Sequence, residues 1–145
     1  MGIVKAHADR IVSAYMHARA HQDREEPHMG NPVVHFEVVG RDAEALQSFY
    51  KEVFDWQMQP AVPGYAMAHP GGEHGINGGI GAAMEDGEGH VTFYVEVPDL
   101  EEALRKIESL GGSTVMGPTE VPEGPTIATF TDPEGHLVGL LKAGS

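Results

Sequence analysis

The stretch FYVEVPDLEEALRKIESLGG, residues 93–112, repeats the pattern of an earlier one, HFEVVGRDAEALQSFYKEVFDW, residues 35–56. In the later copy the strand pattern HVTFYVEV, residues 90–97, gives way at Asp99, an N-cap residue, to a helical pattern that stops at Gly111 and Gly112. In the earlier copy residues 32–39 alternate as a strand. Asp42 then caps a helix over 42–54 whose apolar positions are Ala45, Leu46, Phe49, Tyr50 and Val53. A shift of 57 residues places Phe36 on Phe93, Val38 on Val95, Asp42 on Asp99, Glu44 on Glu101 and Gly78 on Gly135. The chain is therefore read as an internal duplication.

Each copy is followed by three short strand patterns. They are expected at 56–59, 65–68 and 79–84 after the first helix, and at 113–121, 126–131 and 136–141 after the second. The glycine-rich GGEHGINGG breaks the first set, and DPEG supplies a type I turn between the last two strands, with Asp132, Pro133 and Gly135 at turn positions. The expected fold class is α+β: two βαβββ modules, about 31–85 and 89–142, forming a curled mixed sheet around a cleft. Residues 1–22 place Val4, Ile11, Val12, Tyr15, Met16 and Arg19 at helical spacing before the proline of DREEP, and 1–28 read as an N-terminal helical extension to a domain over 29–145.

Composition narrows the function. The chain of 145 residues has no cysteine, which excludes disulfides, thiolate metal sites and cysteine nucleophiles. Its net charge is −13, and all of it falls in residues 29–145 because the first 28 are balanced. Such a field argues against nucleic acid, whose phosphates need a basic surface, and suits neutral or cationic ligands. No apolar run approaches the roughly 20 residues of a membrane span, and the N-terminus lacks the pattern of a signal peptide, so a cytoplasmic location is expected.

Strand alternation nominates the site. In 33–39, Val34, Phe36 and Val38 point to one face while His35, Glu37 and Val39 point to the other. The same shift puts Thr92, Tyr94 and Glu96 on the cleft face of the second module. His35 and Glu37 are the candidate catalytic pair, since a carboxylate beside an imidazole raises its pKa and suits proton transfer next to a carbonyl. His35, Glu37, Thr92, Tyr94, Glu96 and Trp56 are the candidate ligand-binding residues. Met58, Tyr65 and Met67 are expected to add apolar surface, and Glu37 with Glu96 to favour a positive group. His69, His74 and His136 read as solvated loop residues, and His90, after GEG, as a wet strand end.

With its two copies and TFTDPEGHLVGLL, residues 129–141, the sequence resembles the vicinal oxygen chelate superfamily of glyoxalase I, bleomycin resistance proteins and extradiol dioxygenases. The resemblance covers about 31–142. It implies a homodimer and, in metal-dependent members, four ligands from the first and fourth strands of each module. Those positions fall here on His35, Ala82, Thr92 and Gly139, so His35 is the one ligand position retained. One imidazole does not hold a catalytic ion, which ordinarily takes three protein ligands. No metal cofactor is expected; the less favoured possibility is a divalent metal held by His35, Glu37, His90 and Glu96. Two functions follow: a metal-free protein of bleomycin-resistance type binding a small molecule in an acidic, aromatic-lined cleft, or a glyoxalase-type lyase, isomerase or epimerase.

Overall fold

The structure, a computed structural model, describes residues 2–24, 30–83 and 87–144, with the side chains of 21–24 left aside. The chain divides into two compact units, Met1–Gly30 and Asn31–Ser145. The described residues of the first hold one helix, α1 (Gly2–Arg24), whose Ile3, Val4, Ile11, Val12, Tyr15 and Met16 are exposed. The expected stop at the proline of DREEP lies outside the described residues, as does the expected strand end at Met84. No helix among the described residues is long and apolar enough to cross a membrane.

The second unit runs β1 (Val33–Gly40), α2 (Ala43–Phe54), β2 (Gln57–Val62), β3 (Tyr65–His69), β4 (Gly78–Ala82), then β5 (His90–Val97), α3 (Leu100–Ser109), β6 (Ser113–Glu120), β7 (Thr126–Thr131) and β8 (Leu137–Lys142). This is the expected βαβββ order, twice. The eight strands form one mixed sheet in the order β2-β3-β4-β1-β5-β8-β7-β6. β1 is parallel to β4 and β5 to β8, while the two modules join through the antiparallel pair β1/β5. The modules thus close on each other within one chain, which the sequence left open.

Local signals act as their chemistry dictates. Asp42 accepts from the backbone N–H of Ala45 and Asp99 from that of Glu102, each at 3.0 Å, so both helices start on a side-chain cap. Asp55, in the left-handed region at φ 60°, ends α2. Gly111, at φ 101°, ends α3 and lets Gly112 N–H reach the Ile107 carbonyl at 2.9 Å. Between β7 and β8 the Asp132 carboxylate accepts the N–H groups of Glu134 and His136, and those bonds hold its pKa below the ordinary value.

Both helices cover the same face of the sheet. Under α2 lie buried Val38, Ala68 and Ile80, packed with Phe36, Leu46, Tyr50, Trp56 and Met58. Under α3 lie Val97, Leu100, Leu104, Ala128 and Leu140, with Val95, Ala103, Ile107 and Phe130 against them. Each large side chain so removed from water contributes about 1.5–3 kcal/mol. Alternation then commits the opposite face, with His35, Glu37, Tyr65, Met67 and Tyr94, to the concave side.

Trp56 departs from expectation. Its ring stacks on Phe54 at 5.0 Å and Tyr50 at 5.9 Å and meets Phe36 at 5.3 Å, so it belongs to the helix-side core and not to the cleft. Met58 follows it there. The cause is the left-handed Asp55, which turns the chain sharply so that the next residue folds back beneath α2.

Candidate functional site

The concave face encloses a cavity of about 680 Å³ reaching across both modules. Its polar wall is His35, Glu37, Tyr65 and Tyr94, and most of the remainder is apolar, including Met67, Val121, Ile127 and Leu141. Glu37 is the hub. Its Oε2 accepts the Tyr65 hydroxyl at 2.9 Å; its Oε1 accepts from His90 Nε2 at 3.0 Å and from the Tyr94 hydroxyl at 3.4 Å. His35 Nε2 lies 3.0 Å from the Tyr65 oxygen, and the His35 ring meets that of Tyr94 edge-on with centroids 5.5 Å apart.

Register explains the assembly. His35 is paired with Tyr94 and Glu37 with Thr92 across β1/β5, and Glu37 with Gly79 across β1/β4. Tyr65 lies two strands away from β1 and reaches Glu37 because β4 carries glycine beneath it: a Cβ at Gly79 or Gly81 would collide with the Tyr65 ring. The other module offers a parallel solution. Tyr94 lies over Gly139, its partner across β5/β8, where a Cβ would run into the ring.

Burial first, then the charge of Glu37 and the hydrogen bonds to it, push both tyrosine hydroxyls far above their ordinary pKa. They stay protonated at neutral pH and serve as donors. His35 moves opposite to expectation. Its pKa is lowered, because burial disfavours the charged ring more than Glu37 favours it. The expected acid and base are not in direct hydrogen-bond contact; the Tyr65 hydroxyl stands between them.

Other nominated residues fall as follows. Thr92 is buried, and its hydroxyl donates to the Leu137 carbonyl, so it braces the sheet. Glu96 lies farther along β5, beside Leu141 on β8, outside the Glu37 network. His90, read as a wet strand end, is part of the site, and Tyr65, read as apolar surface, is its central donor. His90 shares the alternation of Thr92 and Tyr94, which was the available signal; for Tyr65 the glycines opposite it were the only one.

A divalent ion does not fit this donor set. Among the described residues no three His, Asp or Glu side chains stand where they could hold one. Of the four expected ligand positions, Ala82 has no donor, the Thr92 hydroxyl is spent on a carbonyl, and the space above Gly139 is filled by Tyr94. His35 Nε2 is engaged by Tyr65, and Glu37 and His90 by each other.

Residues 33–140 match the model of the Glyoxalase/Bleomycin resistance protein/Dioxygenase superfamily, and the chain belongs to that superfamily. Its fold is similar to that of methylmalonyl-CoA epimerase from Mycobacterium tuberculosis, with a TM-score of 0.61, 13% identity, and coverage of 86% of this chain and 97% of that one. A superfamily member from Vibrio splendidus gives 0.53 and 19%, covering 78% and 99%. The Mn(II)-bound glyoxalase from Novosphingobium aromaticivorans gives 0.51 and 20%, covering 76% of this chain and 37% of that one. At such identities the likeness is one of fold. Among curated proteins no match is found.

Proposed function

We propose that this chain binds a small, largely apolar molecule in the cavity between its two modules, without a metal ion. The observation that carries the reading is the cavity itself. Its volume of about 680 Å³ falls within the roughly 300–1,000 Å³ of small-molecule sites, and it combines apolar walls with one compact polar cluster. The cluster is already hydrogen-bonded before any ligand arrives, so little ordering is needed on binding. Glu37 was expected to attract a cation. Three donors occupy most of its about four lone-pair sites, which favours an uncharged ligand.

The test is a thermal-shift screen of aromatic alcohols, amines and carbonyl compounds against the native protein and an Ile127→Trp variant that fills the cavity. A ligand of this cavity raises Tm in the native protein only. A panel that shifts neither protein, or shifts both alike, contradicts the reading.

The chain His35–Tyr65–Glu37 supports a second reading, a lyase, isomerase or epimerase of glyoxalase type in which His35 moves a proton at a carbon next to a carbonyl. Deuterium exchange at that carbon, catalysed by the native protein and lost in His35→Ala, would establish it over simple binding.

We also propose that two copies associate. α2 packs on β1, β2 and β4, and α3 on β6, β7 and β8, which leaves the first half of β5 thinly covered on its helix-side face. Val91 there is 75% exposed and Phe93 43%. Phe36, the equivalent of Phe93 in the first module, is covered by Trp56, whose counterpart under the 57-residue shift is Ser113, too small for that task.

A further inference from the structure

The inference rests on the cavity being a small-molecule site and concerns what the ligand must present. Tyr65 has a single hydroxyl proton, and Glu37 Oε2 receives it at 2.9 Å. The 3.0 Å contact between the Tyr65 oxygen and His35 Nε2 must therefore draw its proton from the imidazole. A neutral imidazole that donates from Nε2 carries a lone pair on Nδ1. Among the described residues Nδ1 has no hydrogen-bond partner, and no buried side-chain nitrogen or oxygen there lacks one, so Nδ1 is open rather than buried. The neighbouring donors are already spent: the Tyr94 hydroxyl proton and the His90 Nε2 proton on Glu37, and the Thr92 hydroxyl proton on the Leu137 carbonyl.

We infer that His35 Nδ1 is the acceptor that selects the ligand, which is an uncharged, largely apolar molecule carrying a hydroxyl or N–H donor. A ligand whose only polar group is an acceptor, such as an ether, brings a lone pair against a lone pair and leaves both unpaired. Burial lowers the His35 pKa and so favours the neutral ring. The position that aligns with a metal ligand in other members of the superfamily here turns its free nitrogen to an organic donor.

Two measurements test this. In the first, long-range ¹H–¹⁵N NMR of the ¹⁵N-labelled native protein at neutral pH reads the tautomer of His35 without any ligand, with His35→Gln providing the assignment. The expected spectrum shows a protonated Nε2 and an unprotonated Nδ1, and in Tyr65→Phe, where Nε2 loses its acceptor, a mixture of tautomers. In the second, 2-naphthol and its methyl ether 2-methoxynaphthalene are titrated as probes. The alcohol binds tighter by roughly three- to tenfold, the worth of one hydrogen bond, and shifts the Nδ1 resonance; His35→Leu removes the discrimination. A proton on Nδ1, or a doubly protonated ring, overturns the inference while leaving the cavity reading intact. Equal affinity for the two probes, or an Nδ1 unmoved by bound 2-naphthol, does the same. Failure of both probes to bind overturns the two together.

Discussion

The ring of Tyr94 lies over Gly139, across the β5/β8 pairing, in space that any side chain at 139 would need. Where the superfamily resemblance implies a fourth metal ligand on β8, the aromatic ring of Tyr94 on β5 fills the space. Gly139→Ala should destabilise the protein by about 1–3 kcal/mol, as over-packing does. Tyr94→Ala in the same chain should recover part of that loss, because the two changes share one contact. Denaturant unfolding of the two single variants and the double variant measures the coupling.

The two tyrosines differ in how they hold Glu37, at 2.9 Å from Tyr65 and 3.4 Å from Tyr94. Tyr65→Phe removes the acceptor of His35 Nε2–H and the donor to Oε2, and should cost about 1–3 kcal/mol, since it strands two half-buried groups. Tyr94→Phe removes one long bond from an oxygen that His90 still serves, and should cost less. Equal losses in urea unfolding would contradict the central place given to Tyr65.

Stability should fall on both sides of neutrality. The unfolded chain protonates His35 near its ordinary 6.5, whereas the fold holds that pKa lower, so the contribution is full above 6.5 and is lost as pH falls toward the folded value. For Tyr65 and Tyr94 the folded pKa is raised above 10.0. The unfolded chain then releases those protons first, and stability drops as pH rises beyond 10. Unfolding midpoints from about pH 5 to about pH 11 should trace this dome, and Tyr65→Phe should flatten its alkaline limb.

Trp56 separates packing from recognition. Trp56→Ala should cost about 3 kcal/mol, toward the lower end for truncating a core aromatic, because its ring stacks on Tyr50 and Phe54 and meets Phe36. Its folded fraction should bind 2-naphthol as the native protein does. A loss of affinity without loss of stability would return Trp56 to the cleft.

Association through β5 makes a separate prediction. Phe93→Glu, at a position 43% exposed, should leave the unfolding transition nearly unchanged while halving the mass seen by light scattering. A native protein that is monomeric at every concentration would remove the proposed dimer.

The duplication made most of the fold legible, since each level of the sequence repeats the same instruction: an alternating strand, a capping aspartate, an apolar helix face. The cleft face was legible for His35, Glu37 and Tyr94 because long strands fix the alternation firmly. It was not legible for Trp56, which precedes β2 and whose direction is set by a left-handed turn at Asp55. β2 also runs farther than expected, through Pro60, which an edge strand tolerates because that side of the ladder needs no donor. His90 carried the right alternation, but its glycine-rich approach suggested solvent. The pKa direction of His35 turned on how deeply the cleft buries it, a property of the assembled sheet that no single strand reveals.

The most direct test of the account is the metal content of protein purified without chelator, measured by elemental analysis for the native chain and for His35→Ala. A carboxylate held by two tyrosines and a histidine, in place of a metal centre, predicts only traces of zinc, nickel, manganese and iron, with no difference between the two proteins. One ion per native chain, absent from His35→Ala, would contradict it.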